Sequence, residues 1–195
     1  MTQPAGPPAA PPLALPDALP DGLPDGLPDA PRLRQLEQRA RRNGSDLEAG
    51  SLAGCWRFTT VWPRRGDAAQ GAASALLRHL AARLEIGAPD ASGELAMANS
   101  VALAGLELRF EGRGHLRGQR PLLRFWFDRW RLRAGGRCLI ERSMPPPPER
   151  RRLPFFALIG RGTSASGGTW LAARGRGGGL ALWRLDPAGP SPVQR

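Results

Sequence analysis

The chain has no lysine and no tyrosine, only two histidines and two cysteines, and no apolar run of the roughly 18 residues that a membrane-crossing helix needs. Each shortage excludes something. His79 and His115 lie in no ligand-spaced or triad-like cluster, and there is no phosphate-binding loop, no H-E-x-x-H and no outstanding carboxylate pair, so neither catalysis nor a metal or cofactor is expected. Cys55 and Cys138 form no C-x-x-C pair and are too few for a disulfide framework; buried reduced thiols are expected at both. The first residues lack a basic stretch followed by an apolar one, so no secretory leader is expected and the protein is placed in the cytoplasm.

What is present is arginine. All 28 basic residues are Arg. Alongside so much Ala, Gly and Pro this looks like GC-rich coding, so the choice of Arg over Lys says little about phosphate recognition. The amount of charge is physical all the same. Residues 1–31 hold four Asp and no Arg, which leaves 28 arginines against 13 acids over residues 32–195, a net +15. Such a body attracts polyanions, either nucleic acid or an anionic membrane surface.

The order along the chain predicts one domain between two tails. Residues 1–31 are a Pro-rich tail carrying a Leu-Pro-Asp repeat (Leu15 to Ala30), disordered or loosely polyproline II. Residues 32–46 form a helical connector, with Asp29 as its cap, Pro31 in the first turn and Asn43-Gly44 as its end. Residues 47–186 form the body and 187–195 a second disordered tail. In the body, Trp56, Phe58, Thr60 and Trp62 alternate as a strand with one aromatic face, and Ala68 to Ala82 forms a second helix with Leu76, Leu77 and Leu80 on a shared face.

Further strands follow. In residues 122–133, Leu123, Phe125 and Phe127 share one parity while Trp130 and Leu132 share the other, which predicts a β-bulge near Asp128. Leu153 to Ile159 is apolar on both parities, as in a strand covered on both faces or one facing lipid. Thr169 to Arg174 and Leu180 to Leu185, joined by a glycine-rich turn, form a closing hairpin whose partner is the strand Cys55 to Trp62. Eight to ten short strands with one or two short helices give a mainly β fold, an antiparallel β-barrel.

A closed barrel of about eight strands has a lumen just wide enough for one small apolar ligand. It would gather Trp56, Phe58, Phe110, Phe125, Phe127, Trp130 and Trp170 as ligand-binding residues, with an ordinary core as the competing account. Arg184 and Asp186 stand at the closing edge, as a mutual ion pair or as head-group contacts. Gly175-Arg176-Gly177-Gly178-Gly179 reads as a tight turn in preference to an RGG tract or a phosphate cradle, because it leads into a strand and not a helix. Pro145-x-x-Pro148-x-Arg150 reads as a stiff loop, and Arg150-Arg151-Arg152 beside it as a basic loop or a membrane edge.

Leu52-Ala53-Gly54-Cys55-Trp56-Arg57-Phe58-Thr59-Thr60 resembles the opening Leu-x-Gly-x-Trp strand of the fibrillins, the plastid lipid-associated proteins. Trp170-Leu171 followed by Leu180-Ala181-Leu182-Trp183-Arg184-Leu185-Asp186 resembles that family's closing signature, and Asn99-Ser100-Val101 its Asn-containing middle strand. The resemblance spans roughly residues 47–186. It implies a lipocalin-like barrel of cyanobacterial type that binds an isoprenoid, quinone, carotenoid or acyl lipid at a photosynthetic membrane, peripheral to the thylakoid. Two alternatives stand beside this reading. One is a basic barrel that binds nucleic acid through Arg124, Arg129, Arg131 and Arg133, with Trp126 as a stacking platform. The other is a scaffold or assembly factor with no small ligand.

Overall fold

The computed structural model describes residues 26–64, 79–146, 149 and 153–189. Among the described residues the helix α1 (Ala30–Asn43) and a short 3-10 helix (Ala49–Leu52) precede nine strands: β1 (Gly54–Trp62), β2 (Arg83–Pro89), β3 (Glu94–Leu103), β4 (Leu106–Arg117), β5 (Leu122–Ala134), β6 (Arg137–Ser143), β7 (Phe155–Thr163), β8 (Thr169–Gly175) and β9 (Leu180–Leu185). Every pairing is antiparallel. β1 bonds to β2 on one side and β9 on the other, so the expected hairpin does close onto the expected strand.

β5 serves two partners in turn. Its first residues, Leu122 to Arg124, pair with β7 and complete a ring in the order β1, β2, β3, β4, β5, β7, β8, β9. Its second half, Arg129 to Ala134, pairs with β6, which hangs outside that ring as an edge strand with all seven residues exposed. Exposure extends to Cys138, contrary to the expected buried thiol; Cys55 is buried.

Bulges decide which residues face inward. Glu111 opposes Arg129 and Gly112 opposes Phe127, so Asp128 is the extra residue, at the position the parity switch predicts. A second bulge at Thr59 contradicts the single aromatic face expected of β1. Phe58 opposes Trp183 but Thr60 opposes Leu182, so Trp62 turns outward while Trp56 and Phe58 stay in the inner core. Inside the ring Leu95, Met97, Leu123, Leu158, Leu171 and Trp183 pack with Trp56 and Phe58.

A second core lies on the outer surface. Leu27, Ala30 and Leu33 cover Trp62, Ile159, Ala172, Leu180 and Leu182. The helix expected as a connector is thus a packed lid over one outer side of the ring, and Leu27 of the last Leu-Pro-Asp repeat is buried with it. Its ends are those the sequence predicts. The Asp29 carboxylate accepts a 2.8 Å bond from the Arg32 amide, and Gly44, at φ +85°, donates to the Ala40 carbonyl. The lid also explains the double-sided apolar run of β7, where Leu158 faces the inner core and Ile159 the helix.

The predicted helix over 68–82 lies outside the described residues except for its last positions. There Ala82 accepts a bond from the Phe58 amide and Leu80 one from the Ala102 amide. The Leu-Pro-Asp repeat before Gly26, the Pro147-Pro148 and Arg150 to Arg152 run, and residues 190–195 lie outside them too.

Candidate functional site

A row of aromatic rings runs along the inner face of the sheet. Phe110 lies 5.7 Å from Phe127, Phe127 5.6 Å from Phe125, Phe125 5.1 Å from Phe156, and Phe156 5.4 Å from Trp183. Their tilted, stacked and edge-on geometries suit the aromatic quadrupole. At the Trp183 end the row is buried with Trp56 and Phe58. At the Phe110 end it opens. Trp130 directly opposes Phe110, Leu132 opposes Leu108, and Ile140 of β6 opposes Leu132, so one apolar surface continues past the closed part of the ring. Leu106 at 48% and Ile140 at 41% exposure show how open that rim is, whereas large apolar side chains in a filled core are covered.

Five of the expected lumen residues therefore share one face with Trp130, which stands at the open end of the row. Trp170 does not join them. Leu171 and Ala173 face inward, and Trp170 lies outside, across Gly162 and beside α1, where a Cβ on Gly162 would come within 2.7 Å of its ring. Phe156 was hidden in a run apolar on both parities; its ring contacts with Phe125 and Trp183 place it, and not Phe155, in the row.

Arg184 and Asp186 do not pair with each other. The Asp186 carboxylate takes a 2.8 Å bond from Arg57 and lies 3.8 Å from Arg83, and the Arg57 bond holds it below the usual carboxylate range. This ties the closing signature to the opening Leu-x-Gly-x-Trp-Arg run, whose other members are also structural. Trp56 Nε1 donates to the Leu52 carbonyl at 2.8 Å. Gly54, at φ +148°, meets Leu185 so closely that a Cβ would sit 2.6 Å from its Cδ1. The two motifs are the two sides of the β1–β9 seam.

The outer surface of β4 and β5 carries a ladder of charge. Arg109 grips Glu85 bidentately at 2.5 and 2.8 Å and bonds Glu111 at 2.9 Å; Glu111 also takes Arg129 at 2.7 Å and Arg131 at 3.1 Å, and Arg131 reaches Glu141 at 2.9 Å. Arg113 pairs with Glu94 and Arg133 with Glu107. Five guanidiniums thus meet five carboxylates, and three of the arginines expected to contact nucleic acid are spent on this ladder. Trp126 stands beside His115, ring centroids 5.7 Å apart.

A third arrangement joins helix to sheet. Glu37, buried on α1, accepts two bonds from Arg174 of β8, one from Arg41 and a longer one from Arg120. Burial alone would push its carboxyl up, but the guanidiniums of Arg174 and Arg41 outweigh this and hold it below the ordinary value of 4.5; Glu111 is held down in the same way by Arg109 and Arg129. A carboxylate whose folded pKa is depressed stabilises the fold above its unfolded pKa and loses that contribution as pH falls through the folded one. Thermal stability should therefore fall as pH drops below 4.5, and Glu37→Gln, less stable at neutral pH, should show a shallower acid slope than wild type. Parallel slopes in calorimetric melts between about pH 6 and about pH 3 would remove Glu37 from this account.

Among the described residues no three His, Cys, Asp or Glu side chains come together as a metal site, and no helix is long and apolar enough to cross a membrane. Comparison with protein-family models, curated proteins and solved structures finds no match to this chain.

Proposed function

We propose that this protein is a lipocalin-like barrel that binds a hydrophobic small molecule, of the isoprenoid, quinone, carotenoid or acyl-lipid class, at the open end of its inner face. The observation that carries this reading is the row from Phe110 through Phe127 and Phe125 to Phe156 and Trp183, which leads from an exposed apolar rim into the buried core. A long apolar ligand laid along it would cover Leu106, Leu108, Trp130 and Leu132 and gain the transfer free energy that water-exposed leucines forgo. The fibrillin resemblance supports the same class of ligand, since its two motifs meet as one seam. In this reading the protein works at the periphery of a photosynthetic membrane without catalysing a reaction.

The test is organic extraction and mass spectrometry of protein purified from an isoprenoid-producing photosynthetic host, with an unrelated basic protein as control. A lipid near one per chain is expected, and Trp130→Glu should lose it by more than about tenfold while keeping the wild-type circular dichroism, because this half-buried position tolerates charge but an apolar ligand does not. An empty extract from folded wild type, or equal retention by Trp130→Glu, would turn the inner face into a core and nothing more.

A further inference from the structure

The chain's excess positive charge has to reside somewhere other than the balanced ladder on β4 and β5. Part of it converges where the start of β5 meets β7 and β8. A pocket of about 620 Å³ opens on the outer surface where the end of α1 meets the β8–β9 turn, and its lining includes Arg41, Arg64, Arg120, Arg174 and Arg176 around Phe155. Five guanidiniums line this space, and three of them, Arg41, Arg120 and Arg174, bind the carboxylate of Glu37, which is not part of the lining. We infer that this pocket is a binding site for a multiply charged phosphoryl group, either the head of a lipid or a free polyphosphate.

The site is built, not merely a place where arginines crowd. Arg174 is fixed from two sides, by Glu37 and by a 2.5 Å bond to the Gly178 carbonyl. Gly178, at φ +85°, leaves room for the stem of Arg64 to lie against the turn, since a Cβ there would come within 3.0 Å of Arg64 Cδ. Arg176 is steadied by the Leu153 carbonyl. Guanidiniums held in place around a shared space suit the spread of phosphoryl oxygens, and less rotamer freedom is lost on binding. Phe155 gives one wall an apolar face, which favours a ligand with an organic part beside its phosphoryl group. The glycine-rich run is a tight turn, as its sequence predicts, and the proposed site is made by side chains gathered around it. The site is separate from the inner face and does not depend on what binds there.

Calorimetric titration of the full chain with inorganic tripolyphosphate, and sedimentation with phosphatidylcholine vesicles with and without phosphatidylglycerol, test it together. Binding to at least one of the two is expected, weakening with salt. Arg64→Gln with Arg176→Gln should reduce it by about tenfold for each guanidinium removed, the loss expected for one charge-assisted hydrogen bond. Arg117→Gln with Arg137→Gln, which removes equal charge from exposed positions on β4 and β6, should leave it within about twofold. Tripolyphosphate binding names a free phosphate as the source, and vesicle binding alone names a lipid head group. Binding to neither, or an equal loss in the two double variants, would overturn the assignment, the second result reducing it to net charge.

Discussion

Gly112→Ala should cost about 3 kcal/mol or more, the upper end of what overpacking exacts. Gly112 opposes Phe127 one step past the Asp128 bulge, and a Cβ there would lie 2.0 Å from the Trp126 carbonyl oxygen and 2.6 Å from the Phe127 Cα. Both are backbone atoms of the neighbouring strand, so nothing can rotate aside. Its φ is ordinary for an L residue, which makes the cost one of space alone. Two other glycines calibrate the effect. Gly105→Ala, at φ +82° with nothing within 4 Å, should lose only the roughly 1 kcal/mol of a left-handed backbone. At Gly114 a Cβ would first meet Met97 Sδ, the end of a flexible side chain, so alanine there should fall between the two. Urea unfolding of the three variants gives the order directly. Gly112→Ala unfolding at the wild-type midpoint would mean that β4 and β5 lie further apart at the bulge than described.

Arg109→Met should cost about 3–5 kcal/mol, the loss that follows when one member of a buried ion pair is removed and the other stays. Arg109 is 12% exposed and its partner Glu85 2% exposed, so Glu85 would be left charged, buried and short of two hydrogen bonds. Glu111 would suffer less because Arg129 and Arg131 still hold it. The same physics predicts rescue. Arg109→Met combined with Glu85→Leu removes both charges and should recover most of the loss, because a buried pair gives little net stability over apolar residues of similar volume. Equal instability of the single and double variants in urea titrations would show that the ladder acts through packing of the Arg109 stem and not through charge.

What was legible in the sequence follows from how many environments each residue could occupy. The Asp128 bulge could be read because Phe127 and Trp130 sit on opposite parities between polar neighbours, so only an extra residue reconciles them. The closing hairpin could be read because a glycine-rich linker joins two short apolar runs. The Thr59 bulge could not, since Val61 and Trp62 are both apolar and α1 covers the outer face that one of them occupies. Trp170 was misplaced by the same lid. Alternation marks two faces but does not say which is inner when both are dry. Cys138 was expected inside because free thiols usually are, yet β6 has no covered face. The arginine pocket draws Arg41, Arg64, Arg120 and the Arg174–Arg176 pair from four places in the chain, and no local spacing could announce it.

The β1–β9 seam also sets an order in time. Arg57 and Asp186 are 129 residues apart in the chain, so the ring cannot close until β9 has been made. At ribosomal speeds of about 5–20 residues per second, β1 waits on the order of ten seconds with one edge unpaired and the apolar bulk of Trp56 and Phe58 without its cover. Closure across so long a loop is also slow, on the scale of milliseconds to seconds once all strands exist. Newly made chain is thus most open to aggregation before β9 appears, and a chaperone that holds β1 during that interval would raise the yield of folded protein without altering its final stability.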